Sequence, residues 1–193
     1  MTSAPLLRSD GHPLGDVYLS SAEIAARVAE LGAAIGADYA GRLPLLVAPL
    51  KSSAVFLADL SRAIPEPHTL DVVELAAYAD DSAGGIRLLK DLDTPLAGRD
   101  VLVVEDVVDT GLTLHFLFRT LATRGPESLA AVSLLDRPYR RLVDDLPLRY
   151  VGFTVPDELF GGYGLGLDEH WRALPDLHYV IAAALPDVVT DAA

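Results

Sequence analysis

Residues 101–114 read VLVVEDVVDTGLTL. Val101 to Val104 are four consecutive apolar residues, three of them β-branched, and predict a strand buried on both faces that ends at the acidic pair Glu105-Asp106. Asp109, Thr110 and Gly111 follow, and then Leu114, Leu117, Phe118 and Leu121 recur at helical spacing. The unit is strand, short loop, helix. A helix's first turn presents backbone N–H groups without internal partners and the positive end of the helix dipole, which suits an anion such as phosphate. Thr110 and Thr113 add hydroxyls, and Gly111 permits a close approach that a side chain would block. Two carboxylates would repel a phosphate, so Glu105 and Asp106 are expected to face vicinal hydroxyls, as on a ribose, or a divalent cation. A phosphorylated sugar satisfies both halves, and the plain alternative is a strand-turn-helix with solvated acids.

The bulk composition narrows the possibilities. The 193 residues, 51% of them hydrophobic, suffice for one domain with a large core, and the chain is read as a single domain over 1–193. Fifteen basic against 28 acidic residues leave a formal charge of −13, which argues against nucleic acid or an anionic membrane as a partner. With no cysteine there is no disulfide or thiolate metal site. The first residues lack a basic start and a long apolar run, and no stretch reaches the length of a membrane span, so a cytoplasmic protein is expected.

Outward from the central unit the pattern repeats. Residues 1 to about 19 are expected as an irregular arm. Ser20 with Glu23 predicts a capping box, opening a helix whose Ile24, Val28, Leu31 and Ile35 share one face. Residues 44–50, PLLVAPL, read as a strand ending at Lys51-Ser52-Ser53, before a helix with Phe56, Leu57, Leu60 and Ile64 towards the core. Lys51 beside small residues that open a helix suits a pyrophosphate, or is a surface lysine next to a serine N-cap. After Pro65-Glu66-Pro67, Thr69 to Tyr78 read as a strand, Ala79 to Gly85 as a polar loop, and Ile86 to Leu89 as extended again. Ser128 to Leu135 give a further apolar strand, ending at Asp136-Arg137-Pro138. Strands followed by helices, with charge at the strand ends, predict an α/β domain with a mostly parallel, doubly wound sheet and its ligand at the strands' carboxyl ends.

Two hydrophobics, Glu-Asp, two hydrophobics and Asp-Thr-Gly-x-Thr resemble the phosphoribosyl pyrophosphate (PRPP) motif of type I phosphoribosyltransferases, and most nearly that of the 6-oxopurine enzymes, the hypoxanthine-guanine phosphoribosyltransferases. The resemblance runs from about residue 20 to 181. It implies that Glu105 and Asp106 hold the ribose hydroxyls or Mg²⁺, that Asp109, Thr110, Gly111, Leu112 and Thr113 cradle the 5′-phosphate, and that Asp109 is the general base near the purine N7. It further implies a pyrophosphate site at Lys51, Ser52 and Arg172, with a cis peptide before Lys51. Arg137 stands where the family has a lysine that donates to the exocyclic O6. Ala79 to Gly85 would be a mobile lid, with Tyr78 kept from a Ser-Tyr pair whose serine is here Ala77.

The block from Tyr150 to Pro175 resembles the family's hood over the base, a strand followed by a glycine-rich segment and a second short strand. Departures gather there. Leu159 stands where a stacking aromatic is expected, with Phe160 adjacent, and both are base-site candidates. Gly166 stands where an aspartate is expected, with Asp168 two residues on as a further metal candidate. Ser52 replaces a glycine, and Trp171 a smaller aromatic. Phe160, Tyr163 and Trp171 are equally read as packing.

By this resemblance the chain is a purine-salvage enzyme that joins hypoxanthine or guanine, with xanthine a further candidate, to PRPP with Mg²⁺. Its products are a nucleoside monophosphate and pyrophosphate, and the resemblance implies a homodimer or homotetramer. The alternative is a PRPP- or nucleotide-binding regulatory protein, or a transferase for an unusual base, and it is motivated by Ser52, Ala77, Leu159 and Gly166.

Overall fold

In the computed structural model, which describes residues 14–77, 85–166 and 170–181, the chain runs β1 (Leu14–Leu19), α1 (Ser21–Asp38), β2 (Leu45–Leu50), α2 (Ala54–Ala63), β3 (Thr69–Ala77), β4 (Ile86–Lys90), β5 (Asp100–Val108), α3 (Leu112–Ala122), β6 (Ser128–Asp136), a 3-10 turn at Pro138–Arg140, β7 (Leu148–Thr154), β8 (Phe160–Gly161) and β9 (Leu177–Val180). Contacts divide it into two units, residues 25–157 and residues 14–24 with 158–181. Tyr78 and the loop through Gly84, and Asp168, lie outside the described residues.

The larger unit is a six-stranded sheet of order β4-β3-β2-β5-β6-β7. All pairs are parallel except β3 with β4. From β2 the chain crosses through α2 to β3 on one side, and from β5 it crosses through α3 to β6 on the other. The winding therefore reverses between β2 and β5, and the loops after these two strands part to leave a crevice at their carboxyl ends.

The apolar runs place these strands at the centre. Leu45, Val47, Val101, Val103 and Ala131, with Val73, pack against Leu114, Leu117 and Leu121 of α3. Alternate residues of a strand point to opposite faces, so Leu46, Ala48, Leu102 and Val104 are equally buried on the other face, where α2 meets β2 and β5. Each buried leucine contributes about 1.5–3 kcal/mol. Phe56, Leu57 and Leu60 on α2 and Ile64 at its C-cap are buried as their spacing predicts, as are Ile24, Val28, Leu31 and Ile35 on α1.

The sequence-based expectations need three adjustments. First, β5 does not stop at the acidic pair but continues to Val108. Its pairing with β6 through Glu105↔Ser133, Val107↔Leu135 and Val108↔Asp136 supplies backbone partners past the charges. Second, the expected N-terminal arm is a strand from Leu14 to Leu19, antiparallel to β9. Third, the strand opening the block from Tyr150 to Pro175 is the edge strand β7 of the six-stranded sheet, parallel to β6.

The smaller unit holds a three-stranded sheet of order β1-β9-β8. Trp171 packs with Leu14 and Val180, with Leu159 and Leu174 against them. The rings of Tyr18, Phe160 and Tyr179 cluster, their centroids 4.8 to 5.5 Å apart. The predicted capping box is formed, with Ser20 N donating to Glu23 Oε2 at 2.8 Å and Glu23 N donating to Ser20 Oγ at 3.3 Å.

Candidate functional site

At the parting of the loops after β2 and β5 lies a cavity of about 300 Å³. One wall is Pro49, Leu50 and Ser52, and the rest is mainly the run from Glu105 to Gly111 with Thr113 and Leu114. The Leu50-Lys51 peptide is cis. The structure thus brings the acidic pair, Asp109, Thr110, Gly111, Thr113 and Ser52 to one cavity.

Glu105 and Asp106 are buried, at 4% and 5% exposure, an expensive placement for carboxylates unless something answers them. Among the described residues neither has an ion pair with a lysine or arginine, and Glu105 Oε1 has no hydrogen-bond partner. Burial, with the neighbouring charge of Asp106, pushes the Glu105 carboxyl well above the usual carboxylate range, against a hydrogen bond from Ser53. Burial also raises Asp106, opposed by hydrogen bonds from Ser52 and Ser53. Ser53 Oγ donates to Asp106 Oδ1 at 3.0 Å. Although Ser53 stands at the N-cap of α2, its hydroxyl serves Asp106 rather than the helix amides.

The turn after β5 is built for an anion. Gly111 is the N-cap of α3 at φ +84°, a left-handed conformation. A Cβ there would fall 2.7 Å from Leu146 Cδ1 and 3.3 Å from Arg141 Cδ, so the segment after β6 closes over the turn. Thr110 Oγ1 accepts from Leu112 N at 3.3 Å, and Thr110 O accepts from Leu142 N at 2.9 Å. The helix start at the cavity is therefore held in place and carries no acidic side chain in its first turn.

Asp109 borders the same cavity, and its Oδ1 is buried without a hydrogen-bond partner among the described residues. Its Oδ2 lies 3.5 Å from the Nη1 of Arg137, a buried side chain. Arg137 Nη2 in turn donates to Asp157 Oδ1 at 2.5 Å, and Arg140 Nε donates to the same oxygen at 2.5 Å. Arg140 and then Arg137 hold the Asp157 carboxyl below the usual range.

Leu159, Phe160, Gly166 and Arg172 lie in the smaller unit. The Phe160 ring is part of the aromatic cluster, and Leu159 packs beside Trp171. Arg172 Nη1 donates to Gly164 O at 2.8 Å. Gly166 leaves no room for a larger residue, because a Cβ there would come within 2.4 Å of His170 O and 2.9 Å of Arg172 Cγ. The glycine found where an aspartate was expected is thus demanded by the local backbone path.

Sequence reasoning missed Ser53 as a partner of Asp106, and missed Asp157 and Arg140. The signal for Asp157 was available, since it is a charge just past the carboxyl end of a strand, as Asp109 and Arg137 are.

A family model described as the phosphoribosyl transferase domain matches residues 16–165. The hypoxanthine-guanine phosphoribosyltransferase of Mycobacterium avium is 44% identical over 172 residues, covering 85% of this chain and 83% of that protein. The hypoxanthine phosphoribosyltransferase of Salmonella typhimurium is 41% identical over 170 residues, covering 86% and 95%. Among solved structures, a hypoxanthine-guanine phosphoribosyltransferase from Bacillus anthracis superposes with a TM-score of 0.83 at 40% identity, covering 87% of this chain and 99% of its own.

Proposed function

The chain belongs to the phosphoribosyl transferase family, and from that premise we propose that it serves purine salvage, moving the 5-phosphoribosyl group of PRPP onto hypoxanthine or guanine with release of pyrophosphate. The observation that carries this reading is one cavity that joins a buried acidic pair, without cationic partners among the described residues, to a glycine-opened helix start. A phosphorylated ribose has the complementary parts. Its 5′-phosphate meets the amides and hydroxyls of Thr110 to Thr113, and its vicinal hydroxyls donate to carboxylates that otherwise have too few donors.

In this reading Glu105 and Asp106 orient the ribose, and Lys51, Ser52 and Arg172 hold the pyrophosphate. The bond from C1 to the pyrophosphate oxygen breaks as the bond from C1 to N9 forms, through a transition state of oxocarbenium character, and the N7 proton passes to the Asp109 carboxylate. Arg137 donates to the 6-oxo group, and Leu159 and Phe160 face the base. The donor set suits Mg²⁺, which takes one or two carboxylates from protein and the rest of its ligands from water and substrate phosphates. Glu105 and Asp106, with Asp168 as a further candidate, are the residues to hold it, and its charge would neutralise the departing pyrophosphate. Among the described residues no group of three or more histidines or acids offers another site.

We also propose one functional domain over 1–193, a cytoplasmic location and a homodimer or homotetramer. Among the described residues no helix is long and apolar enough to cross a membrane, and light scattering measures the assembly. The activity is tested with Mg²⁺-PRPP and hypoxanthine, guanine, xanthine or adenine, following nucleotide formation by absorbance. Turnover of a 6-oxopurine is expected, and no turnover with any of the four removes the proposal.

A further inference from the structure

Asp109 and Arg137 carry complementary unmet groups. Asp109 Oδ1 is a buried acceptor and Arg137 Nε a buried donor, each without a hydrogen-bond partner among the described residues, although the two side chains are joined through Oδ2 and Nη1 at 3.5 Å. A buried polar atom left unpaired costs about 1–3 kcal/mol. Asp109 borders the cavity and Arg137 lies against Asp109, so a ligand entering there with a donor beside an acceptor would answer both. The N7–H and 6-oxo group of a purine are such a pair.

Arginine brings a difficulty that lysine does not. A guanidinium has five N–H donors in a rigid fork and can point several of them at a ligand, so which edge it presents depends on what holds the others. Here two of its three nitrogens are engaged, Nη1 with Asp109 and Nη2 with Asp157, which leaves Nε. Arg140 Nε donates to the same Asp157 oxygen and holds it in place.

We propose that Asp157 is a positioning residue that sets the rotation of the Arg137 guanidinium, so that Nε–H is the single donor offered to the 6-oxo group, and that this contact carries the preference for 6-oxo over 6-amino purines. The inference rests on the proposed phosphoribosyl transfer and extends it to a residue in the loop beyond β7. Released from Asp157, the guanidinium can turn an Nη towards Asp109 in more than one way, and the site no longer holds a fixed donor for the base.

The test uses the full chain with Asp157→Asn, which keeps the shape and one acceptor, and Asp157→Ala. Steady-state KM is measured for hypoxanthine, adenine and PRPP, together with Tm. We expect Asp157→Ala to raise KM for hypoxanthine about tenfold and to narrow the hypoxanthine-to-adenine ratio of kcat/KM by a similar factor, with KM for PRPP within twofold. Asp157→Asn should show a smaller effect in the same direction. In an Arg137→Ala background, Asp157→Asn should change KM for hypoxanthine by less than twofold, because a residue acting through Arg137 has nothing left to act on. Unchanged selectivity in the single variants, or an equal loss in the Arg137→Ala background, overturns the role of Asp157. Should Asp157→Ala not fold, Asp157→Asn and the double variant decide alone. A wild-type chain that turns over no purine defeats the proposed function instead, and so the two failures are separable.

Discussion

Glu105 and Asp106 on β5 and Asp157 just beyond β7 stand at the same end of one sheet, yet the fold treats their charges in opposite ways. Asp157 is half exposed and accepts from two arginines, so its carboxyl is held below the usual range. Glu105 and Asp106 are buried, receive only serine hydroxyls and backbone amides, and are pushed up. An acid that holds the chain's own side chains in place is neutralised by the chain's own cations. An acid kept buried and short of donors costs stability until something else supplies them. The difference separates charges that hold the site together from charges reserved for a ligand.

The strongest way to break this contrast is to remove the reserved pair. Glu105→Gln with Asp106→Asn should lower kcat/KM for PRPP by about a hundredfold or more, the loss expected when several charge-assisted hydrogen bonds to a substrate go together. Steady-state kinetics at saturating purine measure it, and a loss below threefold would mean that the pair is not at the sugar. Next is Asp109, which stands between the two classes, since one oxygen faces Arg137 and the other is unmet. Asp109→Asn should lower turnover at least about tenfold while PRPP binding stays within a few-fold. Equal activity would assign the proton to another group.

Ser53→Ala removes the hydroxyl that donates to Asp106. The variant should cost about 1–3 kcal/mol of stability by leaving a buried carboxyl oxygen with less hydrogen bonding, read as a fall in the urea midpoint at unchanged slope. A midpoint equal to that of the wild type would mean that water replaces the serine. The smallest effect is a pH dependence. A carboxyl whose pKa is raised on folding contributes stability that is fully present below its unfolded value near 4.3 and is lost as pH rises through the folded value. At pH 8, without ligand, Glu105→Gln should therefore melt a few degrees above wild type, with the gap closing towards pH 4. Asp157, whose pKa is lowered, behaves in the opposite sense, contributing stability above its unfolded value near 3.9 that is lost as pH falls. Melting curves at both pH values that show the same gap for Glu105→Gln would mean that the burial of Glu105 costs nothing.

Much of the larger unit was legible because its signals are local. The runs at Leu45–Leu50, Val101–Val104 and Ser128–Leu135, and the helical spacing of Leu114, Leu117 and Leu121, declare their own burial. The acidic turn was legible because Glu105 to Thr113 are contiguous in the chain, so one motif spans most of the cavity wall. What escaped was non-local. β1 lies mostly at the surface, with Leu14 its one buried residue, and it is a strand because of β9, more than 150 residues away. β5 runs on past its charges because β6 lies alongside.

The sequence by itself determined the alternation of strands and helices, the glycine-opened helix start and the presence of two adjacent acids after an apolar run, since these depend on propensity and periodicity within a few residues. Tertiary structure decided how those acids are treated. Ser53 reaches Asp106 across 53 positions of sequence, and Arg137 reaches Asp109 across 28 and Asp157 across 20. Whether a carboxyl is buried and waiting or exposed and paired depends on what the fold packs around it, and residue order alone does not contain that distance.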